Sequence, residues 1–537
     1  MSNQASSESE NLARHRVEIF DTTLRDGTQS EHIAYSLGDK LEIARALDAL
    51  GVDYIEGGWP GSNPKDQGFF DAARNETWQH AKITAFGSTR HAKNEPSSDP
   101  NLLALVASRA PVLIIFGKSW DFHVTDALRV SLDDNLRMIE SSVKFLAQHC
   151  GEMLYDAEHF FDGYKHNPVY ALKTLHAAAN AGAKCLILCD TNGGTLPNEI
   201  GKITAAVVKE FAGQRIGLHP HNDSGVAVAN ALAAIDVGAV HMQGTMNGFG
   251  ERCGNVDLIP VIANIQLKLK RPCLLGAESL KKLTETSRQI YEIGNIAPRD
   301  NQPYVGRSAF AHKGGIHVSA VARSAATYEH IEPEVVGNER RVLISELSGR
   351  SNLVAAMGSK FDLKDKPEAL KKVLERVMAL ENKGYVYEAA DGSFELLVRK
   401  TLNGHTPFFK LHGYRVMSEV NDTGESVTEA TVKVEVKGTV EHVVCEGNGP
   451  VNALDGALRK ALEKFYPELK TISLVDYKVR VIDTKSATGA KVLVLIVSSD
   501  HKRQWTTVGV SENVIEASWL ALVDSVEFKL YQSERGV

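Results

Sequence analysis

The stretch VEIFDTTLRDGTQSE, residues 17–31, runs from a short apolar, β-rich segment straight into Asp21, Arg25, Asp26 and Glu31. Two α/β folds can begin this way. A doubly wound sheet often follows its first strand with a Gly-rich phosphate turn. RDGTQS has a single glycine, so that turn is missing. A (β/α)8 barrel gathers its active site where strands run into their following loops, and there charged side chains are needed.

The rest of the first half separates the two. Seven more β-rich runs follow: VDYIEGG from Val52, KITAFG from Lys82, VLIIFG from Val112, EMLYDAE from Glu152, CLILCD from Cys185, RIGLHPH from Arg215 and HMQGTMNG from His241. Between them lie stretches such as SLGDKLEIARALDALG and NPVYALKTLHAAANAGA. Their apolar residues fall three and four apart, so one helical face can pack on a sheet. Eight β-then-α units predict a TIM barrel over residues 16–275, with the open doubly wound sheet as runner-up. Ligand-type side chains recur at the junctions: Arg25 and Asp26, Glu56, Glu158, Asp190 and Thr191, His219 and His221, Asn247 and Glu251.

A chain of 537 residues exceeds one ordinary core and suggests two or three domains. Its 60 basic and 67 acidic side chains give a net charge of -7, which offers no footing for nucleic acid or an anionic membrane. No run approaches the roughly 18 apolar residues of a membrane span. Six cysteines form no CxxC pair, so reduced thiols and a cytoplasmic setting are expected. Residues 1–15, polar and acidic, are expected to form a disordered tail.

LHPHND is the most specific short motif. Residues two apart on a strand point the same way, so His219 and His221 can present two imidazoles to one point. Pro220 between them suits a strand end. A catalytic divalent ion also takes a hard oxygen donor and open positions. Asp26 supplies that oxygen, and Asn255 in GERCGN adds a further one. This donor set is compatible with Mg, Mn, Co or Zn. Cys253 is the soft-ligand alternative. Asp26 has a competing reading as a helix N-cap beside Thr28 and Ser30. Glu251 and Arg252 have one as a structural salt bridge.

DTTLRDGTQ, LHPHND and NGFGERCGN, in this order, resemble the metal-dependent, acyl-CoA-condensing barrel enzymes that comprise the isopropylmalate, homocitrate and citramalate synthases. The resemblance covers nearly the whole chain. IEGGWPGSNPKD, with Trp59 and Pro60, is similar to the members that take pyruvate. The resemblance implies a Claisen-type condensation of acetyl-CoA with pyruvate and water, giving (R)-citramalate and CoA on a threonine-independent route to isoleucine. It implies Asp26, His219, His221 and Asn255 as metal ligands, Arg25 at the ketone oxygen, Thr191 at the substrate carboxylate and Glu158 as an active-site carboxylate. HKGGIHVSAV resembles the segment carrying a catalytic histidine from the neighbouring subunit. That puts His317 forward, implies a homodimer and makes Tyr328 a candidate beside it, with His312 as the competing histidine.

After about residue 275 the pattern turns helical. SLKKLTETSRQIYEIG and KPEALKKVLERVMALENKG read as packing helices of a linker over 276–391, and APRDNQPYVGRSAFAHKGG between them as a possible lid. Over 392–537 an internal repeat appears: GYRV, ATVKVEV and VNALDGALRKAL recur as DYKV, AKVLVLI and NVIEASWLALVDSV. Two strand-and-helix units of this kind can bury their sheets only against each other. EGNGPVNAL holds a GxG without further support for a phosphate. The resemblance makes this an α+β allosteric and dimerisation domain with isoleucine as effector, against a pure dimerisation role. Rival functions are synthases taking 2-oxoisovalerate or 2-oxoglutarate, acyl-CoA lyases that run the aldol cleavage, and a catalytically silent amino-acid sensor.

Overall fold

A computed structural model describes residues 16–312, 315–342, 367–387, 390–402, 407–482 except 421, 423 and 425, 490–500 and 503–534. The expected tail at 1–15 lies outside the described residues. The chain divides into two compact units, one of residues 1–310 with 331–339, the other of 311–330 with 340–537.

All eight predicted runs form strands: β1 (Glu18–Asp21), β2 (Tyr54–Gly58), β3 (Lys82–Ser88), β4 (Val112–Lys118), β5 (Glu152–Glu158), β6 (Cys185–Asp190), β7 (Arg215–Pro220) and β8 (His241–Gly244). They pair in sequence order, and β8 returns in parallel to β1, with Glu18 opposite His241, so the barrel is closed. The doubly wound alternative is thereby excluded. Parallel strands covered on both faces need apolar residues pointing both ways, hence the continuous runs. Inward, Phe20, Tyr54, Phe86, Ile114, Leu154 and Ile187 fill the barrel. Outward, Ile19, Ile55, Leu113, Leu186 and Leu218 join the helices in a second layer of core.

Local signals set the helix bounds. Ser36 and Asp39 make a capping box that starts Leu37–Leu50, and Gly51 in the left-handed region ends it. Asn63 caps Pro64–Ala73 with proline in the first turn. The floor of the barrel is polar. Arg215 donates to Glu18 at 2.7 Å and pairs with Glu152, and His241 bonds Glu18 at 3.2 Å.

The first unit continues beyond residue 275. The helix Leu283–Ile293 contributes Leu283, Ile290 and Tyr291 to the barrel's outer core. The start of the segment expected as a lid is tied down there: Arg299 and Gln302 both bond Asp257, at 2.9 and 2.8 Å.

In the second unit, β9 (Lys410–Val420), β10 (Ser426–Val436) and β11 (Thr439–Gly447) form one antiparallel sheet and precede the helix Pro450–Leu462. The strands β12 (Ser473–Val481), β13 (Val492–Ser499) and β14 (Gln504–Ser511) form another and precede the helix Val514–Glu534. This is the predicted repeat. The register slips at matching places, between Leu411 and Gly413 in one copy and Leu474 and Asp476 in the other. Both sheets and both helices share one core, with Val432, Leu458, Ile496, Trp505 and Leu522. Helices Pro367–Glu381 and Asp391–Leu402 cover the other face of the second sheet through Val373, Phe394, Leu493 and Val508. Of the stretches expected as one linker, the first therefore packs with the barrel and the later ones with the repeat. No helix among the described residues is long and apolar enough to cross a membrane.

Candidate active site

β1 stops at Asp21 because its carboxylate accepts hydrogen bonds from the Thr23 amide and hydroxyl, both at 2.9 Å. Burial pushes that carboxyl up to about 7 although the two bonds pull it down. The turn carries Arg25 and Asp26 over the barrel mouth. Arg25 Nε donates to Glu56 Oε2 at 2.6 Å and Nη1 to Asp26 Oδ2 at 2.8 Å. Its guanidinium lies 3.7 Å above the Phe86 ring. Asp26 begins a short helical turn but makes no side-chain cap bond, so its N-cap reading does not hold.

β7 delivers His219 and, just past its end, His221. Their centroids are 5.3 Å apart and the planes differ by 17°, as the two-residue spacing predicts. Ligand atoms of Asp26, His219 and His221 all lie within 4.8 Å of one another. Burial would raise Asp26, yet the Arg25 guanidinium, with the Asn255 amide, holds it near 2, ionised. Burial pushes His221 down to about 4, so it stays neutral. Asn255 Oδ1 lies 2.8 Å from His219 Nε2, and Asp26 Oδ2 lies 3.5 Å from the same nitrogen. Gly254, at φ +87, lets the loop turn here, since a Cβ would strike the Gly248 carbonyl.

An anionic carboxylate, a neutral buried imidazole and an amide oxygen aimed at one point form a donor set that fits a divalent cation. The buried, partnerless Nδ1 of His221 supports the same fit. Cys253 is exposed and stands outside that cluster.

Glu158 ends β5 in an ion pair with Lys118. Thr191 follows β6, and its hydroxyl oxygen accepts from the His159 amide at 2.9 Å, which leaves the hydroxyl proton free for another acceptor. Arg252 bonds Asp223 at 2.8 Å and the Thr191 carbonyl at 2.8 Å, but stands 3.6 Å from Glu251. It does tie the last barrel loop down, with Asp223 as the main partner.

Trp59 is fixed at both ends. Its amide donates to Asp66 at 2.9 Å, and Asp66 is itself paired with buried Lys40. Its indole N–H donates to Asn101 at 2.7 Å. The ring stands edge-on to Phe86 and Phe116, so an aromatic wall flanks Arg25.

His317 and Tyr328 lie in the second unit, stacked at 4.1 Å between centroids. His312, in the same unit, is buried and bonded through Nε2 to Glu329 at 3.0 Å. Sequence reasoning missed Gln243, Asp156, Lys118 and Phe86. The spacing of His241 and Gln243, two apart on a strand, was the available signal for Gln243.

Residues 16–290 match the family described as HMGL-like, 304–385 the homocitrate synthase post-HMGL domain-like family, and 388–530 the LeuA allosteric (dimerisation) domain. The chain is 53% identical over 522 residues to an (R)-citramalate synthase of Geobacter sulfurreducens, covering 96% of this chain and 98% of that one. It is 52% identical to an (R)-citramalate synthase of Aquifex aeolicus, over 97% of this chain and 98% of that one. A probable 2-isopropylmalate synthase of Methanopyrus kandleri is more distant, at 31% identity over 95% of this chain and 98% of that one. The chain belongs to the HMGL-like family of barrel enzymes, in its group of (R)-citramalate synthases.

Proposed function

We propose that the chain is an acyltransferase that condenses acetyl-CoA with pyruvate and hydrolyses the thioester, releasing (R)-citramalate and CoA. The carrying observation is the convergence of Asp26, His219, His221 and Asn255 beside Arg25, in a chain whose full-length relatives at about half identity are (R)-citramalate synthases.

Those four side chains would hold a divalent cation, which when bound supplies Lewis-acid polarisation of the 2-oxo acid. Arg25 directs its guanidinium at the ketone oxygen, where negative charge grows, a contact worth a few kcal/mol. Glu56 and Phe86 hold it there. Thr191 donates its free hydroxyl proton to the substrate carboxylate. The wall of Trp59, Phe86 and Phe116 beside Arg25 supports pyruvate over longer oxo acids, since bulky rings there disfavour a long side chain. Glu158, held by Lys118, is the further carboxylate of the site.

His317 takes a methyl proton from acetyl-CoA. A carbon–carbon bond then forms to the ketone carbon, the ketone oxygen ends as a hydroxyl, and water cleaves the thioester. His312 is spent on Glu329, which supports His317 as the base, and Tyr328 holds the ring by stacking. The neighbouring subunit of a homodimer brings this pair to the barrel. Residues 16–275 serve as the catalytic domain, 276–391 as the linker and 392–537 as the allosteric domain. Isoleucine, the pathway product, binds that last domain as inhibitor, a reading supported by the match to the LeuA allosteric domain.

A panel of 2-oxo acids offered with acetyl-CoA, following thiol release, tests the assignment. Pyruvate should turn over fastest, and a faster branched oxo acid would overturn it.

A further inference from the structure

His219 has two ring nitrogens, and each has a different neighbour. Nε2 faces Asn255 Oδ1 and Asp26 Oδ2 at the barrel mouth. Nδ1 lies 2.7 Å from Gln243 Oε1, inside the barrel on β8. An imidazole that ligates through one nitrogen needs its other nitrogen protonated and oriented, and a partner that accepts that proton fixes both.

We infer that Gln243 is a positioning residue for the cation site: its carbonyl accepts the Nδ1 proton and holds His219 in the tautomer whose Nε2 lone pair faces Asp26. Gln243 is itself locked. It is wholly buried, its Nε2 donates to Asp156 Oδ1 at 3.2 Å, and the same atom lies 3.5 Å from His241 Nε2. In this orientation its N–H faces Asp156 and His241 and its carbonyl faces the His219 ring.

The lock has a second effect. His219 also belongs to a deeper group with Asp156 and Cys189, whose ligand atoms again lie within 4.8 Å of one another. Gln243 is bonded to both His219 and Asp156. It therefore engages a ring nitrogen of His219 and a carboxylate oxygen of Asp156 at the inner group, and leaves Nε2 to the outer one.

This inference rests on the cation-site reading, and the test separates the two. Metal-free native protein, Asp26→Asn, Gln243→Leu and Gln243→Glu are titrated with Mn(II), the free ion being followed by electron paramagnetic resonance. Gln243→Leu should bind about 10- to 100-fold more weakly, with an unchanged circular dichroism spectrum. Gln243→Glu keeps an acceptor for the Nδ1 proton and should bind close to native. Gln243→Met replaces the leucine variant should that one not fold. Native affinity in the leucine or methionine variant would overturn the inference, and so would equal loss in Gln243→Glu. Native affinity in Asp26→Asn would overturn the cation site itself.

Discussion

The convergence of His219 and His221 was legible because it depends on a local rule. Imidazoles two apart on a strand converge whatever the rest of the chain does. Trp59 was legible as bulk but not as a wall, because Phe86 and Phe116 reach it from β3 and β4 and Asn101 fixes it from a helix. That wall yields a prediction. Trp59→Leu removes the edge-on ring and should raise kcat/KM for 2-oxobutyrate relative to pyruvate by about 10-fold, the weight of a methylene in an apolar pocket. Competition between the two acids, read by product analysis, checks it, and an unchanged ratio would place the selecting group elsewhere. Asp156 was not legible, because a lone aspartate in an apolar run carries no pattern until the barrel closes and sets it beside Gln243. Gln243 had one faint signal, its two-residue spacing from His241 on the same strand.

Strands were read well and their ends less so. β8 is shorter than HMQGTMNG suggests, because after Gly244 the chain turns through Asn247 at φ 64. β1 carries the pH sensitivity of the barrel floor. Burial would raise Glu18, but His241 and Arg215 outweigh it and lower it from 4.5 to about 2. A carboxyl depressed in the fold contributes stability above its unfolded value, and that contribution is lost as pH falls through the folded one. Urea midpoints of the native chain and Glu18→Gln should therefore differ near neutral pH and converge as pH drops from 4.5 towards about 2. A constant gap would mean that Glu18 acts by shape rather than charge.

Across the whole chain, the repeat in the second half was readable from matched segments, and the shared core of Val432, Leu458, Ile496 and Leu522 is its physical basis. What the helices expected over 276–391 pack against was not readable, because an amphipathic pattern says which face is buried and not against what: Leu283 and Ile290 meet the barrel, Val373 and Phe394 the second sheet. If His317 is supplied by the neighbouring subunit, as proposed, two inactive variants should complement each other. Asp26→Asn and His317→Ala should each be nearly inactive as pure dimers. Mixed in equal amounts and allowed to exchange, they should recover about a quarter of native activity, since half the dimers then carry one intact site. No recovery after proven exchange would put both residues in sites built by one chain.

The underside of a barrel is ordinarily where a protein engineer seeks heat resistance without touching turnover. Here Arg215, Glu18, His241, Gln243 and His219 follow one another as neighbours from the floor to the mouth. Rewriting the salt-linked base for thermal tolerance would thus also disturb the ring at the proposed cation site, and any such redesign should be screened for catalysis as strictly as an edit to the pocket.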